Sequence, residues 1–135
     1  MRFERSCGAV VFKKNHDIRY LLLNNRGKWA FPKGLKEKEE SDKETAMREV
    51  KEETGLKDLK LIDGFVYDSK FFYKWEGELV NKHATFFLFQ AFDDDVKLSF
   101  EHEGYRWVSI DEALNLLKIK DYKDMIVKAH KFLQK

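Results

Sequence analysis

Residues 42–54, DKETAMREVKEET, limit the fold more than any other stretch. Ala46, Met47 and Val50 recur at helical spacing and line one side of a helix. Glu49, Glu52 and Glu53 stand at i, i+3 and i+4, so they share another face. Gly55 is placed to end the helix. The apolar stripe has to pack inward, and the flanking sequence supplies strands for it to pack on. Strand-like runs come first at CGAVVF (7–12) and YLLL (20–23), split by the polar KKNHD. The only proline, Pro32, lies in a turn-like WAFPKG. Further runs follow at LKLIDGFVY (59–67), KFFYKW (70–75), ATFFLFQAF (84–92) and YRWVSI (105–110). Ser109 and Glu112 have the spacing of a capping box that opens a helix with Ala113, Leu114 and Leu117 inward. A last helix is expected from about Tyr122 to Leu133, with Met125, Ile126, Ala129 and Leu133 on one face. This order of strands, helix, strands and helices implies an α/β sandwich, a mixed central sheet with helices on both faces.

The 135 residues suit one domain, and no Pro/Gly/Ser-rich linker or internal repeat divides them. Hydrophobic residues make up 43%, which is enough for a packed core and excludes a disordered chain. Twenty-six basic and 24 acidic residues leave a net charge of +2, a poor electrostatic match for duplex nucleic acid. Cys7 is the only cysteine, so no internal disulfide is available. No N-terminal run reads as a signal peptide, and no apolar run is long enough to span a bilayer. A cytoplasmic protein without a membrane partner, a monomer or weak dimer, is the default expectation.

The acidic segment calls for an explanation, because eight carboxylates lie between Glu37 and Glu53. Like charges one turn apart on a helix repel by a few tenths of a kcal/mol per pair. A solvated acidic face is the simplest account. The alternative is a site for a hard divalent cation, Mg²⁺ or Mn²⁺, whose oxygen preference and charge would reverse the repulsion. Arg48 lies beside the cluster and can hold a carboxylate through two parallel hydrogen bonds.

The spacing favours the cation. Gly34, five residues, Glu40, seven residues, then Arg48, Glu49, Val50, one residue, Glu52, Glu53, one residue, Gly55 and Leu56 resemble the Nudix box without departure. Seven fixed identities at ordinary residue frequencies make a chance match rarer than about one in a million. The resemblance implies the Nudix α/β/α fold for residues 1–135, with the box at 34–56. It also implies hydrolysis of a nucleoside diphosphate linked to another group. It puts Glu49, Glu52, Glu53 and the backbone carbonyl of Lys33 in the metal-ligand role, with Arg48 and Glu40 as orienting groups. On this reading Glu49, Glu52 and Arg48 belong to the catalytic apparatus.

Three further stretches resemble the asymmetrical diadenosine tetraphosphate hydrolase branch of that family. They are WAFPKG (29–34), LSFEHEGYRWVSIDEA (98–113) and Tyr73, which lies 18 positions beyond Gly55. The resemblance makes Glu101 a further metal ligand or the general base. Lys33 and Lys82 are expected to cover phosphate charge, and Tyr73 and Tyr122 to stack on a base, a contact worth about 1–3 kcal/mol. Packing in the core is the competing role for both tyrosines. Tyr105, Arg106 and Trp107 are expected to position the Glu101 segment, and His16 and His130 read as surface residues. The expected partner is a small-molecule nucleotide, diadenosine tetraphosphate cut to ATP and AMP. Other Nudix substrates (RNA 5′ ends, ADP-ribose, an oxidised dNTP) are the alternative within enzymes, and a non-catalytic nucleotide sensor is the alternative outside them.

Overall fold

The computed structural model describes residues 1–99 and 102–134. Among these lie eight strands and three helices: β1 (Arg2–Lys14), β2 (Ile18–Asn25), β3 (Lys28–Ala30), β4 (Lys33–Leu35), α1 (Asp42–Thr54), β5 (Leu59–Leu61), β6 (Tyr67–Trp75), β7 (Glu78–Ala91), β8 (Gly104–Val108), α2 (Ile110–Leu116) and α3 (Lys120–Leu133). The sheet runs β3-β2-β1-β7-β5, with β4 also paired to β1, β6 to β7 and β8 to β2. It is mixed, because β1 and β7 are parallel from Arg2↔Val80 to Phe12↔Gln90 while the other pairs are antiparallel.

The α/β sandwich expected from the order of elements is the one observed. Alternate residues of the central strands enter two separate cores. Val10, Phe12, Tyr20, Leu22, Phe86 and Leu88 join Met125, Ile126 and Ala129 of α3. Cys7, Ala9, Val11, Leu21, Leu23, Phe87 and Phe89 join Ala46 and Val50 of α1. Strands covered on both faces need apolar residues at every position, which is why CGAVVF and YLLL are continuous runs with no polar alternation. Truncating a fully buried side chain here, Leu22 or Leu88 to Ala, costs about 2–5 kcal/mol.

Helix α1 has the expected bounds. Ser41 caps it, accepting from the Glu44 N–H, while the Glu44 carboxylate accepts from the Ser41 N–H at 2.8 Å. That second capping box was not anticipated. Gly55 takes the left-handed conformation, φ 72°, and its N–H closes on the Lys51 carbonyl at 2.9 Å. The Ser109–Glu112 box that opens α2 is as expected.

Two local readings change. LKLIDGFVY is not one strand: the chain turns at Asp63–Gly64, which leaves the three residues of β5 and restarts the sheet at Tyr67. WAFPKG is two short strands, β3 and β4, on either side of Phe31–Pro32. His130 also departs from a plain surface role, since its Nδ1 lies 2.7 Å from the hydroxyl of the fully buried Tyr20. None of the helices among the described residues is long and apolar enough to cross a membrane.

Candidate active site

Arg48 organises the outer half of the acidic face. Its Nε and Nη2 donate to the two oxygens of Glu40 at 2.6 and 2.9 Å, a bidentate pair. Nη1 donates to Glu49 at 2.8 Å and to Glu52 at 3.2 Å, and Nη2 also reaches the Leu35 carbonyl at 3.1 Å. The guanidinium thus ties three box carboxylates to the strand–helix connection. Its hydrogen bonds hold the Glu40 carboxyl down at about 2, while the carboxylates raise Arg48 above its ordinary value.

Glu53 faces the other way, into the fold. It is 7% exposed. Its Oε2 accepts from the Lys33 N–H at 2.8 Å, and its Oε1 lies 3.1 Å from His102 Nε2. Burial pushes its carboxyl up to about 7, against the opposing pull of His102 and the Lys33 N–H. The C-terminal end of α1 is held by the segment that follows β7, with Lys97 N–H on the Thr54 carbonyl at 2.7 Å and Ser99 N–H on the Glu53 carbonyl at 3.2 Å. Those bonds carry His102 to Glu53. Glu101 lies outside the described residues.

Glycine at position 34 has a packing reason. A Cβ built there meets the Glu49 carboxylate, its carbon and both oxygens, well inside contact distance. Glu49 therefore rests against the Lys33–Gly34 backbone, and Glu53 holds the adjacent N–H. Lys33 and Gly34 lie on β4 because their pairing with Gly8 and Cys7 of β1 sets them there.

These groups suit a hard divalent ion. The donors are carboxylate oxygens on one helix together with the strand backbone they lean on, and the side-chain space at Gly34 is filled by one of those carboxylates. Among the described residues, however, no three His, Cys, Asp or Glu side chains already close around a point. Glu49 and Glu52 lean on Arg48, and Glu53 turns to the Lys33 backbone and His102.

The same Lys33 leads to a second region. Lys33 is half-buried with its ammonium beside that of Lys82, and desolvation and then the neighbouring positive charge lower its pKa to about 8. Two amines forced together are a receptor for a polyanion. The Lys82 ammonium lies 5.9 Å from the centre of the Phe71 ring. Tyr73, half-buried on β6, donates its hydroxyl to Glu4 at 2.5 Å. Tyr122 lies in the first turn of α3 and is 9% exposed, with its ring edge-on to Phe31 at 5.3 Å and to Phe86 at 5.9 Å. It lines a cavity of about 430 Å³ with Phe71, Ile119, Ser69 and Asp121, large enough for a nucleoside. The aromatic that shares this cavity with Tyr122 is Phe71, a residue the sequence reading did not select, and Tyr73 lies next to Phe71 at a ring separation of 6.2 Å.

Glu4 escaped notice because it lies 69 positions along the chain from Tyr73, which it bonds. The sequence marks His102 and Glu103 only as flanking Glu101, one structural and the other exposed; the bond of His102 to Glu53, 49 positions away, is what the structure adds. Arg106 bonds Glu112, and Trp107 sits under the Lys13 ammonium, so these two brace β8 against α2 and β1.

Comparison with known proteins bears on the family and the fold. The model of the NUDIX domain family matches residues 2–129. The asymmetrical bis(5'-nucleosyl)-tetraphosphatase of Sus scrofa is 36% identical over 96% of this chain and 95% of its own length. That of Mus musculus is 32% identical over the same shares. Among solved structures, a C. elegans Ap4A hydrolase binary complex superposes with a TM-score of 0.85 at 26% identity, covering 97% of this chain and 98% of that one.

Proposed function

The chain belongs to the NUDIX family, and from that premise we propose that it cuts dinucleoside polyphosphates asymmetrically, diadenosine tetraphosphate to ATP and AMP. One observation carries the reading. Lys33 joins the acidic cluster to the basic pair, with its N–H bonded to Glu53 at 2.8 Å and its ammonium beside Lys82. A phosphate chain laid along the lysines arrives at the carboxylates.

Mg²⁺ or Mn²⁺, held by Glu49, Glu52, Glu53 and the Lys33 carbonyl, would neutralise phosphate oxygens and acidify a water at the cluster. The chain's own residues do the remaining work. Arg48 keeps Glu49 and Glu52 on one side of the cluster, next to the position the ion would take. Lys33 and Lys82 take up the charge of the phosphates beyond the scissile bond. Tyr73 and Tyr122 hold one adenine, which places the cut towards one end of the tetraphosphate and makes it asymmetric. The proton of the attacking water goes to Glu52 or Glu101. Of Glu49, Glu52 and Glu53, Glu52 is the most open to solvent, with its side chain 58% exposed and Arg48 Nη1 at 3.2 Å from one oxygen.

Chromatography of the products of diadenosine tetraphosphate with Mg²⁺, and again with chelator, tests the reading. Equal ATP and AMP with Mg²⁺, and neither with chelator, is the expected result. Two ADP would refute asymmetric cleavage. An intact substrate alongside pyrophosphate released from a triphosphorylated RNA end would move the assignment to the other NUDIX substrates.

A further inference from the structure

We propose that Glu4 is a positioning residue for Tyr73 and sets how well the site holds a base; this rests on the nucleotide reading above. Register brings the pair together. Glu4 on β1 is opposite Lys82 on β7, and Tyr73 on β6 is opposite Val80, two residues along β7. Residues paired in register point to the same face of a sheet, so Glu4, Lys82, Val80 and Tyr73 share one. The bond between Tyr73 and Glu4 therefore crosses β7 from β1 to β6. At 2.5 Å it has the length of a hydroxyl bound to a carboxylate. Arg2 holds the other Glu4 oxygen at 3.1 Å, so the acceptor is itself fixed. The charged groups facing Glu4 are Arg2 and Lys82, with Lys33 further off.

Among the described residues, the neighbouring aromatics have no such hydroxyl tether. Phe71, Phe72 and Trp75 are 45%, 60% and 56% exposed, and two of them have no polar atom at all. An exposed ring on a strand turns among its rotamers, and a base that stacks on it has to stop that motion. Tyr73 is already held by its hydroxyl. Glu4 thus gives the site one pre-oriented ring among several loose ones.

The competing account is a strand clamp that stabilises the end of the sheet and does nothing else. Glu4→Ala, Glu4→Gln, Tyr73→Phe and Tyr73→Ala separate the two. Both Glu4 variants lose the charge beside Lys82, but the glutamine keeps an acceptor for the tyrosine. Dissociation constants for AMP and for inorganic tripolyphosphate are measured by calorimetry, and KM and kcat with diadenosine tetraphosphate. Glu4→Ala is expected to bind AMP about fivefold more weakly than Glu4→Gln, the worth of roughly one hydrogen bond. KM should follow, with kcat moved less than twofold. Tyr73→Phe should bind AMP more weakly than the unaltered chain, and adding Tyr73→Phe to Glu4→Ala should weaken binding no further. Tripolyphosphate, which has no base, should bind Glu4→Ala and Glu4→Gln alike. Equal AMP affinity in the two Glu4 variants, with only the melting temperature lowered in Glu4→Ala, would overturn the proposal and leave a strand clamp. Unaltered AMP affinity in Tyr73→Ala would instead overturn base stacking at Tyr73.

Discussion

Gly34→Ala is the sharpest test of the acidic cluster, because it adds one methyl group and no charge. The methyl lands on the Glu49 carboxylate, whereas non-bonded carbons settle about 3.5–4.0 Å apart, so one of them has to move by roughly 1 Å or more. The Gly34 backbone is paired to Cys7 within the sheet and gives little. Glu49 is the flexible partner and is displaced, stretching its 2.8 Å bond from Arg48. A misplacement of about 1 Å in a reacting constellation costs about 100-fold in rate, or about 2.7 kcal/mol of barrier. The expected result is therefore kcat lowered about 100-fold, a Mg²⁺ titration shifted to higher concentration, and a circular dichroism spectrum unchanged. Gly104→Ala is the control, since among the described residues a Cβ there meets nothing within 4 Å. Steady-state release of AMP across a Mg²⁺ series reads all of this. A Gly34→Ala protein with kcat within threefold of the unaltered chain and the same Mg²⁺ midpoint would show that Glu49 has no part in the chemistry.

Three more outcomes follow from the same contacts. Glu52→Gln and Glu53→Gln should each lower kcat by about 10²–10³-fold while nucleotide affinity measured by calorimetry is largely kept; a rise in KM alone would assign them to binding. Glu40→Gln should lower the melting temperature at pH 7. The Arg48 pairing depresses the Glu40 carboxyl from 4.5 to about 2, so its stabilisation is complete above pH 4.5 and is lost as the pH falls through about 2. The gap between the two melting curves should close over that window, and a gap constant with pH would contradict the pairing. Cys7 is fully buried, and burial pushes its thiol up to about 11. It should resist a disulfide reagent at pH 8 until the protein unfolds, so prompt labelling of the native chain would contradict the packing of β1 under α1.

Local patterns carried most of what could be read in advance. The bounds of α1, its Gly55 stop and the capping box of α2 each depend on residues within four positions of one another, and each was legible. So was the α/β class, because both-face burial writes continuous apolar runs into β1, β2 and β7. The turn at Asp63–Gly64 was missed because the apolar residues on either side of it, Leu61, Ile62 and Phe65, read as one strand. KFFYKW and ATFFLFQAF were legible as strands, but the start of β7 at Glu78 and the tight turn that joins it to β6 were not.

By itself, then, the amino-acid order determined the helix, the spacing of its three carboxylates and the chemistry those oxygens suit, since helical geometry turns separation along the chain directly into a shared face. Only the tertiary structure decided which way each carboxylate turns: Glu49 and Glu52 to Arg48, Glu53 inward to the Lys33 N–H and His102. It alone brought Glu4 to Tyr73 and Lys33 to Lys82. Those meetings depend on β1 lying parallel to β7, a pairing of strands 78 residues apart in register. No local propensity encodes it, because it becomes favourable only when both faces of the sheet are covered at once.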